Sequence, residues 1–137
     1  MRAVVDVNVL ISGILSAKGP SAEILRASRD GRFEIVVSEI LLAELKRTLD
    51  YPKLRKRIPA EKGRTFANWV RDHATLSEDQ TTQPPVQSRD PDDDYLLALA
   101  ISRRAYLVTG DQDLLVLSDE LPILTPAQFA TTLHQSH

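Results

Sequence analysis

The chain has 137 residues, a length that favours one globular domain over residues 1–137. Its formal net charge of −2 disfavours a nucleic-acid binder that relies on overall charge. Its 42% hydrophobic and 26% charged content is ordinary for such a domain. No apolar run approaches the roughly 18 residues that span a bilayer, and no signal-peptide pattern opens the chain, so we expect a cytoplasmic protein with no membrane partner. The absence of cysteine excludes disulfides and thiolate metal sites.

The first predicted strand is the apolar run Ala3–Val5, with Asp6 placed where the strand ends. Such a run is typical of a central strand in a parallel sheet, because helices cover both of its faces. Ligands collect at the carboxyl ends of these strands, which makes Asp6 a candidate site residue. The structural alternative is that its side chain caps the next helix.

Helices and strands alternate along the rest of the chain, which predicts a mostly parallel sheet with right-handed crossovers. The pattern predicts helices over 8–14, from a cap at Ser21 to near Gly31, over Glu39–Leu49 behind a cap at Ser38, over 59–73, 92–103 and 111–117, and from the capping box at Thr125 onward. It predicts strands at 33–37, 75–76, 106–109 and 123–124, with a loop over 77–91.

Charge is unevenly distributed along the chain. Eight basic residues lie between positions 46 and 64, opposed only by Asp50 and Glu61, and seven acids lie between positions 72 and 94. The basic segment predicts contacts with a polyanionic substrate. The structural alternative is a solvated, charged helix face.

Four acidic residues fall on predicted strand ends and helix faces that can converge. Asp6 ends the first strand, Glu44 lies on an otherwise apolar helix face, Asp93 opens a buried helix and Asp111 follows the fourth strand. Each has a structural alternative. The run Asp92–Asp94 can favour a helix N-terminus through the macrodipole, Asp113 can cap the short helix after it, and Glu44 can reach solvent.

Clustered carboxylates raise each other's pKa and destabilise the fold unless a cation lies between them. Oxygen ligands without cysteine or a well-placed histidine suit Mg²⁺ or Mn²⁺. The histidines do not compete, because we expect His134 and His137 in a C-terminal tail and His73 at a helix end.

Four stretches in order resemble the motifs of the PIN-domain ribonucleases, in the branch of toxin–antitoxin toxins similar to VapC. They are VDVNVLIS at 5–12, VSEILLAEL at 37–45, RDPDDDYLLALA at 89–100 and LVTGDQDLL at 107–115. The resemblance implies a three-layer α/β/α sandwich and a Mg²⁺- or Mn²⁺-dependent endoribonuclease. One departure is Val7, where the family usually has Thr or Ser.

The resemblance maps the family's catalytic and metal-binding quartet onto Asp6, Glu44, Asp93 and Asp111. The triple Asp leaves Asp94 as an alternative to Asp93. Supporting polar positions are Asn8, Ser12, Thr109 and Asp113, with Asp90 as an outer ligand. The basic segment is expected to bind RNA phosphates through Lys46, Arg47, Lys53, Arg55, Lys56 and Arg57. With few aromatic residues interleaved, base stacking is expected to be a minor contribution.

Two other functions compete with RNA hydrolysis. A phosphotransferase of the haloacid-dehalogenase type also begins with a strand ending in Asp, but it needs a second acid where Asn8 stands. A catalytically degenerate PIN fold would serve as an RNA-binding or scaffold module.

The resemblance further implies two protein partners: a cognate antitoxin and a second copy in a homodimer. Phe66, Trp69 and Val70 share a helix face that suits an interface. The alternative is that Trp69 packs on the protein's own sheet.

Overall fold

The computed structural model describes residues 1–81 and 83–135, and in these residues it is an α/β sandwich with one five-stranded sheet. The strands are β1 (Arg2–Val5), β2 (Glu34–Val37), β3 (Thr75–Leu76), β4 (Tyr106–Val108) and β5 (Ile123–Leu124). Their order is β3-β2-β1-β4-β5, and every pair is parallel. The predicted fold class is confirmed.

Eight α-helices accompany the sheet in the same residues. They are α1 (Val7–Leu15), α2 (Pro20–Arg29), α3 (Glu39–Leu49), α4 (Pro52–Arg55), α5 (Ala60–His73), α6 (Asp94–Arg103), α7 (Gln112–Leu115) and α8 (Pro126–Gln135). None of the helices in the described part of the chain is long and apolar enough to cross a membrane.

Strand β1 is the central strand, as predicted from its apolar run. Its residues pair with β2 on one side and with β4 on the other, and Ala3, Val4 and Val5 are buried. The carboxyl ends of β1 and β4 therefore lie side by side, which brings the residues following Val5 and Val108 to one edge of the sheet.

Two helix starts differ from the sequence prediction. Helix α2 begins at Pro20 rather than after Ser21, because Gly19 adopts φ 105° at the N-cap and proline fits the first helical position. Helix α6 begins at Asp94, after a 3₁₀ turn over Pro91–Asp93 whose cap is the Asp90 side chain accepting from the Asp92 N–H.

The C-terminal helix is capped as predicted. The N–H of Thr125 donates to the Gln128 side chain, and the N–H of Gln128 donates to Thr125 Oγ1 at 3.1 Å. The helix extends through Gln135, so His134 lies in its last turn and the expected tail is wrong for this residue. His137 lies outside the described residues.

The face of α5 that suggested an interface is largely internal. Phe66 and Val70 are buried in the protein's own core. Trp69 is half-buried and stacks between Phe66, at 6.1 Å between ring centroids, and His73, at 4.8 Å. Two of the three proposed interface residues are therefore unavailable to a second copy.

Candidate active site

Three of the four predicted acidic residues, Asp6, Glu44 and Asp93, line a cleft at the carboxyl end of β1, whereas Asp111 lies outside its lining. This acid cleft has a volume of about 650 Å³ and draws its lining from α1, α3 and the start of α6. Its lining residues are Asp6, Val7, Asn8, Ile40, Glu44, Arg47, Thr48, Tyr51, Asp90, Asp92, Asp93 and Tyr95.

A buried threonine joins Asp6 to Asp111 across the two central strands. Thr109 Oγ1 donates to Asp6 Oδ2 at 2.7 Å and accepts from the Asp111 N–H at 3.0 Å. Thr109 is 0% exposed, so its hydroxyl depends on these two groups for hydrogen bonding. The Asp6 side chain forms no capping hydrogen bond to α1, although the N–H groups of Val7 and Asn8 at the start of that helix are close enough to lower its pKa.

Burial raises the pKa of Asp6 above its ordinary value, because a carboxylate loses hydration inside the protein. The hydrogen bond from Thr109 and the N–H groups of Asn8 and Val7 oppose this shift, while the charge of Asp111 adds to it. Asp6 is thus a buried acid that its neighbours hold in orientation without neutralising it.

Asp93 is the most perturbed carboxyl group of the cleft. Burial raises its pKa to about 7, and a hydrogen bond with the Asp111 carboxyl group and the charges of Asp111, Asp6 and Asp90 act in the same direction. Its Oδ2 is buried and has no hydrogen-bond partner among the described residues. A buried oxygen of this kind in a negative environment needs either a proton or a cation.

The neighbouring aspartates have other partners. Asp94 accepts the backbone N–H of Ser88 at 2.8 Å and does not line the acid cleft. Asp90 caps the 3₁₀ turn and also lines the cleft. Of the two alternatives left open by the triple Asp, Asp93 is the one that lines the cleft.

The cap of helix α7 is Asp111 rather than Asp113. Asp111 Oδ1 accepts the Asp113 N–H at 2.9 Å, so Asp111 caps α7. Asp113 lies in the first turn of α7 and pairs with Arg89 at 3.2 Å on the surface. The structural alternative in which Asp113 caps this helix is therefore not what the structure has, because Asp111, two residues earlier, has the extended backbone of a cap.

Glu44 lines the cleft but is already paired. Arg47, three residues further along α3, donates two hydrogen bonds to the Glu44 carboxylate, at 2.5 and 3.3 Å. Arg47 also donates to the hydroxyl of Tyr51 at 2.7 Å. Among the described residues, no three histidine or acidic side chains are close enough together to hold a metal ion.

A second depression, the Tyr51 groove, adjoins the acid cleft. It has a volume of about 760 Å³ and shares Asn8, Thr48 and Tyr51 with the cleft. Its other lining residues are Ile11, Ser12, Pro52, Lys53 and Leu54. Ser12 therefore lies beside the acids rather than with them, whereas Asn8 lies between the two depressions.

The basic segment begins on α3 and continues through α4. Arg47 is paired with Glu44, and Arg55 is paired with Asp50. Lys46, Lys53, Lys56 and Arg57 are exposed, and none of them forms an ion pair with the described residues. Arg47 lines the acid cleft and Lys53 lines the Tyr51 groove, so two of the six candidates adjoin the proposed site.

Tyr95 is a cleft residue that the sequence reasoning did not select. Burial raises its pKa well above its usual range, with the charges of Asp6, Glu44 and Asp93 adding to the effect. Its hydroxyl therefore stays protonated and can donate within the cleft. The available signal was its place two residues after Asp93, on the first turn of α6, but a tyrosine there is equally expected of a core helix.

The sequence is similar to a known protein family and to an uncharacterised archaeal protein. The family described as the PIN domain matches residues 2–113. An uncharacterised protein of Methanocaldococcus jannaschii, MJ1680, is 27% identical over 139 aligned residues, which cover 94% of this chain and 89% of that protein.

Two solved structures have a similar fold. VapBC2 from Rickettsia felis, bound to a DNA fragment from its promoter, has a TM-score of 0.58 at 16% identity and covers 90% of this chain and 97% of its own. PAE2754 from Pyrobaculum aerophilum has a TM-score of 0.56 at 16% identity and covers 98% and 90%. At this level of identity, the likeness concerns the fold.

Proposed function

Because the chain belongs to the PIN domain family, whose members are generally nucleases, we propose that it is a metal-dependent endoribonuclease acting in the acid cleft. The observation that carries the proposal is the unpartnered buried oxygen of Asp93, beside Asp6 and Asp111. A fold has no reason to retain this repulsion without a use for it, since it costs stability in the absence of a cation.

The donor set fits Mg²⁺ or Mn²⁺, because it consists only of oxygens and includes one that lacks a partner. Asp6 and Asp93 would hold the ion, and Asp111 and Glu44 would have to move closer to complete the site, because no three of these side chains surround one point in the described residues. When bound, the ion lowers the pKa of a water molecule and stabilises charge on a phosphate.

The protein's own residues prepare the site for this chemistry. Thr109 holds the Asp6 carboxylate in place through the 2.7 Å hydrogen bond, so one ligand is oriented before binding. The Arg47 guanidinium, when it leaves Glu44, can pair with a substrate phosphate from the same cleft wall. Tyr95 keeps a proton available for hydrogen bonding to the substrate.

We also propose that the protein is the toxin of a toxin–antitoxin pair, acting in the cytoplasm and restrained by a cognate antitoxin. The likeness in fold to the VapBC2 complex supports this assignment. The phosphotransferase alternative has less support, because its second acid is replaced by the exposed amide of Asn8 and the family match is to the PIN domain.

The test is cleavage of single-stranded RNA by the purified protein with Mg²⁺ or Mn²⁺. We expect cleavage that EDTA abolishes, and a loss of at least a hundredfold in Asp6→Asn and Asp93→Asn, consistent with removal of a metal ligand. Asp94→Asn is the matched control, because Asp94 is one residue away but bonds to Ser88, and it should cleave normally.

A degenerate PIN fold predicts a different result. It would bind RNA without cleaving it, and EDTA would have no effect on binding. Equal cleavage by the wild type and Asp93→Asn would show that the acid cleft is not the active site.

A further inference from the structure

We propose that the Tyr51 groove holds a nucleobase of the single-stranded RNA whose backbone passes the acid cleft, with the Tyr51 ring as its stacking platform. The inference rests on the proposed function for the identity of the polymer. It adds a base-binding residue, Tyr51, that the acidic quartet does not include.

The groove has the position that such a subsite requires. It shares Asn8, Thr48 and Tyr51 with the acid cleft, so a chain with its phosphate in the cleft continues directly into the groove. Its volume of about 760 Å³ lies within the range of roughly 300–1,000 Å³ that ligand sites occupy.

The two depressions differ in chemistry. The cleft is bordered by carboxylates, whereas Ile11, Pro52 and Leu54 line the groove with apolar surface. A phosphate bound through a cation suits the cleft, and the flat face of a base suits the groove. Lys53 in the groove lining can pair with the phosphate on the far side of that base.

Tyr51 is an exposed but fixed aromatic ring. It is 43% exposed, so part of the ring is open to a ligand. The hydroxyl accepts from Arg47 Nη1 at 2.7 Å, and Arg47 Cζ lies 5.6 Å from the ring centroid. A ring held in this way loses little entropy when a base stacks on it.

The other two aromatic candidates do not offer a comparable surface. Phe66 is buried, and Trp69 is half-buried between Phe66 and His73. Of these three aromatic residues, only Tyr51 presents a ring to a base, so we expect base stacking at this one residue next to the acid cleft.

The experiment compares RNA with and without bases. In an Asp6→Asn background, which removes turnover, fluorescence anisotropy gives the Kd of a labelled adenosine decamer and of a decamer of abasic ribose phosphates. The ratio of the two Kd values isolates the contribution of the bases, because both decamers carry the same phosphates. We expect the adenosine decamer to bind about tenfold or more tightly.

Adding Tyr51→Ala should reduce this ratio severalfold, while Tyr51→Phe should keep most of it, since the ring remains and only the hydrogen bond from Arg47 that helps to fix it is lost. Leu76→Ala is the control, because Leu76 is also exposed but lies on edge strand β3, away from both depressions. Circular dichroism confirms that each variant is folded.

The outcomes separate the inference from the proposed function. A ratio that is unchanged in Tyr51→Ala, or equal binding or no binding of both decamers, overturns the inference even if the wild type cleaves RNA. A Tyr51-dependent ratio in a protein that never cleaves RNA supports the groove and overturns the nuclease.

Discussion

At the scale of single residues, the candidate site depends on carboxyl groups whose orientation is fixed by hydrogen bonds or whose pKa is raised by burial. Thr109 fixes Asp6, and Asp111 uses one oxygen to cap α7. Asp93 has an oxygen without a partner and a pKa raised to about 7, mainly by burial. Without metal, this carboxyl group therefore lowers the stability of the fold at neutral pH.

The first prediction concerns the pH dependence of this effect. Because the pKa of Asp93 is raised from 3.8 to about 7, the folded state binds more protons than the unfolded state between these values. The stability of the metal-free protein should therefore fall as the pH rises from 5 to about 7 and then level off. Urea denaturation at pH 5, 6, 7 and 8 measures it.

Asp93→Asn should reduce this dependence, leaving the part that the raised pKa of Asp6 contributes, and raise the free energy of unfolding at pH 8 by roughly 0.5–2 kcal/mol, a size common for stabilising substitutions. Glu34 and Glu39 do not interfere, because Thr75 and Arg71 respectively lower their pKa values and move their effect below this range. A profile identical to the wild type would show that Asp93 is not the responsible group.

At the scale of elements, helix α3 and the turn after it carry a cleft carboxylate, its arginine partner and an exposed aromatic ring at adjacent positions. Glu44 and Arg47 are one helical turn apart and pair with each other, and Tyr51 follows one turn later. Helix α4 then presents basic side chains beside the Tyr51 groove. The short spacing explains why the acid cleft, the groove and the basic segment are adjacent.

The second prediction concerns the basic segment. Reversing Lys53, Lys56 and Arg57 to Glu should weaken RNA binding and reduce the slope of log K against log salt by up to about two units, since each lost phosphate contact on a single strand removes about 0.7. Fluorescence anisotropy between low and moderate salt measures it. Arg55 is omitted because it pairs with Asp50, and its reversal would add a repulsion inside the protein.

The matched control reverses Lys18 and Arg104, which are exposed, form no ion pair with the described residues and lie outside both depressions. This control should retain the wild-type slope. If both variants lose the same slope, general charge rather than the basic segment attracts RNA.

At the scale of the whole molecule, metal binding and folding are linked. An ion that binds only the folded state stabilises it by about 1.4 kcal/mol at ten times its Kd. The third prediction is that Mg²⁺ or Mn²⁺ at millimolar concentration raises the melting temperature by a few degrees, and that Asp6→Asn weakens this response most. Differential scanning calorimetry, with Ser12→Ala as a control next to the cleft, measures it.

A melting temperature that ignores both ions would contradict the shared-ion account of the acids. An equal response in Asp6→Asn would place the ion elsewhere.

The fourth prediction concerns assembly. A homodimer remains our expectation, and sedimentation at micromolar concentration should give twice the monomer mass. Since Phe66 and Val70 are buried in the monomer, Trp69→Ser should lower stability by about 1–3 kcal/mol through lost stacking and burial, and leave the mass unchanged. A monomer mass for the wild type would contradict the dimer, and a dimer lost only in Trp69→Ser would return the interface to α5.

The sequence alone determined the parallel α/β fold, because buried strands and capped helices are local patterns. The run Ala3–Val5 predicted the central strand, and Ser38 and Thr125 predicted two helix starts that their hydrogen bonds confirm. The short helix α4 and the 3₁₀ turn before α6 were not predicted, because a few residues between prolines have no periodicity.

The tertiary structure decided which groups meet. Thr109 and Asp6 are 103 residues apart, and only the pairing of β1 with β4 brings the hydroxyl to the carboxylate. The same packing leaves Asp93 in the acid cleft while Asp94 bonds to Ser88, and it exposes Tyr51 while burying Phe66. These outcomes depend on side-chain directions and long-range contacts, which local sequence patterns do not specify.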